Sequence, residues 1–228
     1  MMKLKLKPSL LTPMSSLLLL AACAGTPPPP DWQMNAQGAL QRALDAYLSG
    51  NDRIATNEFT RAREEVSRTG RIELMARTEL LRCAADVASL QFGVCGGFER
   101  HRADAAAPEL AYAAYLQGRL PPDQAALLPA SQQPLAAPPR GDAADLAALQ
   151  AVADPLSRLL GAALWLQAHR ASPAVLALAV DTASAQGWRR PLLAWLQVQQ
   201  RRAADAGDSA EAARIGRRIE LVFGNGQP

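Results

Sequence analysis

Lysine is nearly absent from this chain of 228 residues: the only three, Lys3, Lys5 and Lys7, lie in the first seven positions. With three lysines among 24 basic residues, the rest of the chain sets 21 arginines against 21 carboxylates. The body is electroneutral. The formal charge of +3 belongs to the leading segment, which withdraws the charge-based case for a nucleic-acid binder. Aromatic residues are scarce at 5%, histidines number two and cysteines three. No uncharged apolar run reaches the ~20 residues a helix needs to cross a bilayer, which excludes a multi-pass membrane protein. Hydrophobic residues at 49% and charged residues at 20% point to a folded body and exclude a disordered polymer or a collagen.

The lysines open what reads as a three-part export signal: a basic start, an apolar stretch from about Leu10 to Leu20 broken by Pro13, and then Leu20-Ala21-Ala22-Cys23. That tetrapeptide resembles the lipobox of bacterial lipoproteins. The resemblance implies a signal peptide over 1–22 and a mature chain that begins at a diacylated Cys23. Ala24 after the lipidated cysteine, where an Asp is absent, implies the outer membrane of a Gram-negative envelope, with the body facing the periplasm. Two or three acyl chains anchor stably where one is marginal. Residues 23–30, ending in Pro27-Pro28-Pro29-Pro30, read as a short stiff tether in polyproline conformation.

Setting Cys23 aside leaves Cys83 and Cys95, an even pair in a disulfide-permissive compartment. A structural bridge is the natural reading, with two free buried thiols as the alternative. Two cysteines without a nearby His pair do not complete a metal site, and the spacing is not that of a redox Cys-x-x-Cys. If the helix carrying Cys83 runs to about Gln91, the chain must turn back at once for Cys95 to reach it. Gly93, Gly96 and Gly97 supply flexible backbone for that reversal.

From Asp31 onward the apolar spacing is helical almost everywhere. Trp32, Ala36, Leu40, Ala43 and Tyr47 form one stripe ending at Gly50; Phe59, Ala62 and Val66 form a second before Gly70. A third helix carries Ile72, Met75, Leu80, Cys83, Val87 and Leu90, and a fourth runs from near Pro108 to Gly118. Six prolines then fall within 119–141, a density that predicts a surface linker without helix. Helices resume at Asp142, with Asp154-Pro155 and Ser172-Pro173 as N-caps followed by Pro at the first helical position. Gly187 and Gly207 end later segments, and Asp208 to Glu211 make a capping-box-like start for the last. No segment alternates with a period of two. The fold class is all-α, divided into an N-terminal helical lobe over 31–118, a linker over 119–141 and a C-terminal lobe over 142–228.

The stretch Ala46 to Gly70 resembles a tetratricopeptide repeat, with Gly50 in the turn and Ala55, Phe59 and Ala62 at the small-large-small spacing of its second helix. Residues 207–219 echo it: Gly207, Ala212, Gly216 and Ile219 stand at the same offsets, with Gly216 where the aromatic belongs. The first helices carry no Trp or Leu-Gly pair and no Pro closes the unit. The resemblance implies antiparallel hairpins stacked as a tetratricopeptide-like α-solenoid or irregular bundle. Such stacks present grooves to other proteins and rarely catalyse.

Catalytic chemistry finds little to use. His101 reads as a solvated loop residue and His169 as a ring in the last turn of a helix, favoured there by the dipole. Nucleophile elbows, zincin motifs, phosphate loops and calcium loops are missing, so no enzyme, metal or cofactor is expected. Core packing accounts for most of the Trp residues, but Trp188, beside Gly187 and before Arg189 and Arg190, is a candidate for lining a groove. Arg214, Arg217 and Arg218 face outward from the last helix, either complementing its dipole or meeting an acidic partner. The expected function is a lipid-anchored helical adaptor holding another envelope protein. The alternative is an enzyme acting on peptidoglycan, or a regulator of one.

Overall fold

Helix ends fall where short-range chemistry puts them. The side chains of Asn51, Asp154 and Asp208 accept from Ile54 N, Ser157 N and Glu211 N at 3.2, 2.7 and 3.0 Å, each satisfying an otherwise orphaned amide. Ser172 does the same for Val175 N at 3.4 Å. At the other ends Gly50, Gly70, Gly118, Gly187 and Gly207 adopt φ between +64° and +88°, a left-handed turn that glycine makes without strain. The structure is a computed structural model and describes residues 28–224; the expected signal peptide over 1–22, Cys23 and most of the expected 23–30 tether lie outside the described residues.

The described residues are all-α. Their helices are α1 (Asp31–Leu48), α2 (Asp52–Ser67), α3 (Ile72–Ala88), α4 (Gly96–Glu99), α5 (Ala107–Leu116), α6 (Gln133–Ala136), α7 (Asp142–Ala151), α8 (Pro155–Gln167), α9 (Pro173–Ala185), α10 (Arg189–Asp205) and α11 (Ser209–Gly224). The pairs α1–α2, α8–α9 and α10–α11 pack as hairpins across short turns. In the first hairpin Ala55, Phe59 and Ala62 are buried against α1, where small residues flanking a ring let the two backbones approach.

Helix α3 is the element on which the others are laid. It packs against α1, α2, α5 and α8, and its buried residues include Ala76, Leu80, Cys83, Ala84, Ala85, Val87 and Ala88. Positions 83, 84, 85, 87 and 88 span about 200° around the helix axis, a broad buried face, while Arg77 is exposed and Arg82 and Asp86 on the remaining side are half-buried. Cys83 and Cys95 are bonded, with Cα atoms 5.6 Å apart and a sequence separation of 12. Closing a loop of that length contributes roughly 3 kcal/mol by restricting the unfolded chain.

The expected division into lobes over 31–118 and 142–228 joined by a 119–141 linker is corrected by the packing. The residues from Asp31 form one unit, and a single apolar cluster runs from Ala76 to Ile215 through Leu128 and Leu135. Residues 119–141 also hold helical turns, because Pro122 begins a 3-10 turn (Pro122–Leu127) and Pro134 sits at the start of α6. At a first turn the missing N–H of proline costs nothing, so these prolines start helical turns instead of breaking them.

Polar contacts hold the segment from within. Gln132, 1% exposed, accepts from the Tyr115 hydroxyl at 2.7 Å and donates to Ser157 O at 3.1 Å. Trp165 Nε1 donates to Leu135 O at 2.9 Å, and Gly161 has no side chain so that Leu135 can lie on it. Leu135→Ala should therefore behave as a core truncation, costing roughly 2–5 kcal/mol in urea unfolding. A midpoint within error of wild type would restore the surface-linker reading.

Candidate functional site

Two apolar grooves meet across α3. One, about 510 Å³, lies between α3 (Arg77, Leu80, Leu81), α5 (Pro108, Glu109, Tyr112) and the chain at Leu127–Pro129. The other, about 560 Å³, lies between α1 (Trp32, Ala36, Leu40) and α3 (Leu74, Arg77, Leu81). Arg77 and Leu81 line both, so the two adjoin as one trough across α3. Its charge is balanced locally: Arg77 Nε donates to buried Glu109 Oε1 at 2.5 Å, while Glu109 Oε2 has no partner. Helices α1, α3 and α5 each give one face to it, so the trough exists only once they are packed side by side.

A second buried carboxylate ties the disulfide loop to the helices. Glu79, 5% exposed, receives Arg63 Nε and Nη2 at 2.5 and 3.0 Å, with Arg100 at 3.9 Å. Gly97 lies against the same carboxylate, and any side chain there would overlap Glu79. This corrects the expected role of the loop glycines: Gly93, Gly96 and Gly97 have no positive φ, and Gly97 is needed for space instead of flexibility. Burial alone pushes the Glu79 carboxyl up. The hydrogen bonds and charge of Arg63, with the charges of Arg100 and His101, outweigh it and hold the carboxyl below its ordinary value.

Because the folded value is depressed, the ionised pair stabilises the fold above the unfolded carboxylate's pKa of about 4.3. That contribution is lost as pH falls through the folded value. Wild-type urea midpoints should therefore drop more steeply between neutral pH and pH ~3 than those of Glu79→Gln. Parallel profiles for the two would refute the assignment.

The structure separates the residues singled out in the C-terminal region. Arg190 is a structural clamp: its guanidinium lies 4.2 Å from the Tyr47 ring centre, Nε donates to Tyr47 O at 2.7 Å, and Nη2 pairs with Asp52. Arg82 approaches the same ring at 4.4 Å. Burial first, then the neighbouring Asp86, raises the Tyr47 phenol above its ordinary value, so the ring stays neutral. Trp188, expected to line a groove, is half-buried and packs against both apolar clusters; Arg189 is half-buried beside it, its Nε without a partner. Arg214 pairs with Glu211 at 2.6 Å, Arg217 is exposed and Arg218 half-buried. The six thus differ in setting: Trp188, Arg189, Arg190 and Arg218 are half-buried, and Arg214 and Arg217 are exposed.

Sequence reasoning missed Glu79, Glu109 and the trough, whose partners lie 16 and 32 residues away. It also missed an open groove of about 900 Å³ along α10, lined by Leu90, Leu166, His169, Leu193, Val198 and Arg201 among others. His169 lies just past the end of α8 and is exposed, with φ of 57°. Among the described residues no group of three or more His, Cys, Asp or Glu could hold a metal ion.

Replacing Arg190 by Ala removes a charged hydrogen bond and a stacked cation together, and should cost about 1–3 kcal/mol. Asp52→Asn should cost less than about 1 kcal/mol, because that carboxylate is 72% exposed. Equal urea midpoints for the two variants would show that the surface pair, and not the Tyr47 contact, is what matters. No family model matches the chain, and neither a curated protein nor a solved structure matches it.

Proposed function

We propose that this chain is a lipid-anchored helical adaptor of the outer membrane, its body in the periplasm, and that it holds another envelope protein in the trough across α3. The trough carries the proposal. It offers apolar side chains from three helices and from Leu127 of the 3-10 turn, 38% exposed, with the charge of Arg77 already met by Glu109. A tetratricopeptide-like stack uses the facing sides of successive first helices in this way. The leader and Leu20-Ala21-Ala22-Cys23 support the anchor, and Pro27-Pro28-Pro29-Pro30 the spacer. The buried carboxylates Glu79 and Glu109 are each engaged by arginine, which supports structural roles for both in preference to acid–base work on a cell-wall bond.

Site-specific photo-crosslinking in cells tests this. A photoreactive residue at Leu81 or Leu127 should give one discrete adduct, and the same residue at exposed Thr60 on α2 should not. Cys23→Ala should shift the chain from the membrane to the soluble periplasmic fraction and weaken the adduct. Equal adducts from all three positions, or none, would remove the trough from consideration. A membrane-bound Cys23→Ala chain would remove the anchor.

A further inference from the structure

The α10 groove shares no lining residue with the trough across α3. Its floor is apolar, from Leu90, Leu166, Leu193, Ala194 and Val198. One end is cationic: Arg201 and Arg202 lie there with Asp205 as the only carboxylate of the lining. Arg202 donates to Ala171 O at 2.9 Å, while exposed Arg201 makes no ion pair among the described residues. At the other end Ser89 Oγ, in a residue 3% exposed, has no hydrogen-bond partner.

The backbone marks the same place independently. Among the described residues only two non-glycine residues have positive φ, Leu90 at 60° and His169 at 57°, and both line this groove. They sit just beyond α3 and α8, where five other helix ends use glycine. A side chain in this conformation carries a strain that glycine avoids, although histidine tolerates it better than most. Leu90 repays it by packing on the core. The His169 side chain is exposed and has no such contact.

We infer that this groove is a second docking site, which takes an α-helical segment of a protein partner with an apolar stripe and carboxylates at one end. The stripe lies on Leu90, Leu193 and Val198, and the carboxylates reach Arg201 and Arg202 by charge complementarity. Those acids belong at that end because Arg190, the cation at the other end of the lining, is already paired with Asp52. An amphipathic helix is the occupant that fits. The groove is built from helix flanks and helix ends, and the described residues offer no strand edge for an extended peptide to join.

The test uses the full chain and a fluorescein-labelled peptide of about 15 residues. Leu occupies i, i+3 or i+4, and i+7, and Glu is confined to one end; a control carries Lys in place of Glu. Wild type should bind the Glu peptide saturably, at least tenfold tighter than the Lys control, with affinity falling at least tenfold from 50 to 300 mM salt. The double variant Gln197→Glu, Arg201→Glu changes two exposed side chains and should stay folded while weakening binding at least tenfold. His169→Gly should raise the melting temperature and weaken binding at least threefold. Leu127→Glu, in the trough, should leave binding unchanged, which separates this site from the adaptor reading. No saturable binding, equal binding of the two peptides, or wild-type affinity in the double variant and in His169→Gly would each overturn the inference.

Discussion

The broad buried face of α3 is the constraint from which the rest of the structure follows. A helix packed against α1, α2, α5 and α8 must have small side chains where backbones cross, and Ala76, Ala84, Ala85 and Ala88 are all essentially inaccessible. The small residues of α3 leave room for larger apolar groups brought by each neighbour. Phe98 and Cys95 cover α3 from the loop, Leu116 and Tyr115 from α5, and Leu160 and Ala163 from α8. The disulfide fastens the loop to α3 directly, so the chain can reverse between Ala88 and Gly96 without a helix of its own to anchor it.

Arginine does the work between elements that lysine does elsewhere on solvent-facing surfaces. Beyond the leader every cation except histidine is a guanidinium, and a planar fork can pair, stack and cap at once where an ammonium cannot. Arg190 stacks on Tyr47 while bonding its carbonyl. Arg170 lies 5.0 Å from the Trp165 ring centre and pairs with Asp145. Arg158 donates twice to Val152 O, at 3.1 and 2.7 Å, closing the end of α7. Each ties segments that the apolar contacts alone would leave free to slide.

The two grooves differ because the helices around them present different parts. Across α3 the walls are the sides of α1, α3 and α5, where charge is paired and the surface is apolar. Along α10 the walls include the ends of α3 and α8, where left-handed residues, an unpartnered hydroxyl and arginines from a last turn gather.

Much of the fold was legible in the sequence, for a local reason. Caps at Asp154, Ser172 and Asp208, and glycines at Gly50, Gly70, Gly187 and Gly207, act within a few residues, so helix starts and stops can be read from spacing alone. The Cys83–Cys95 pairing followed from counting. The sequence by itself therefore determined an all-α chain and the order of most of its helices. Tertiary structure decided what depends on distant partners. Whether Pro122 and Pro134 break or begin helical turns depends on whether Leu128, Leu135 and Gln132 find a core, and that core is built from α5 and α8. Arg190 reads as a surface cation until Tyr47 arrives from 143 residues away. Gly97 reads as a hinge until Glu79 occupies the space its side chain would fill. In each case the local pattern permits two outcomes, and the long-range contact selects one.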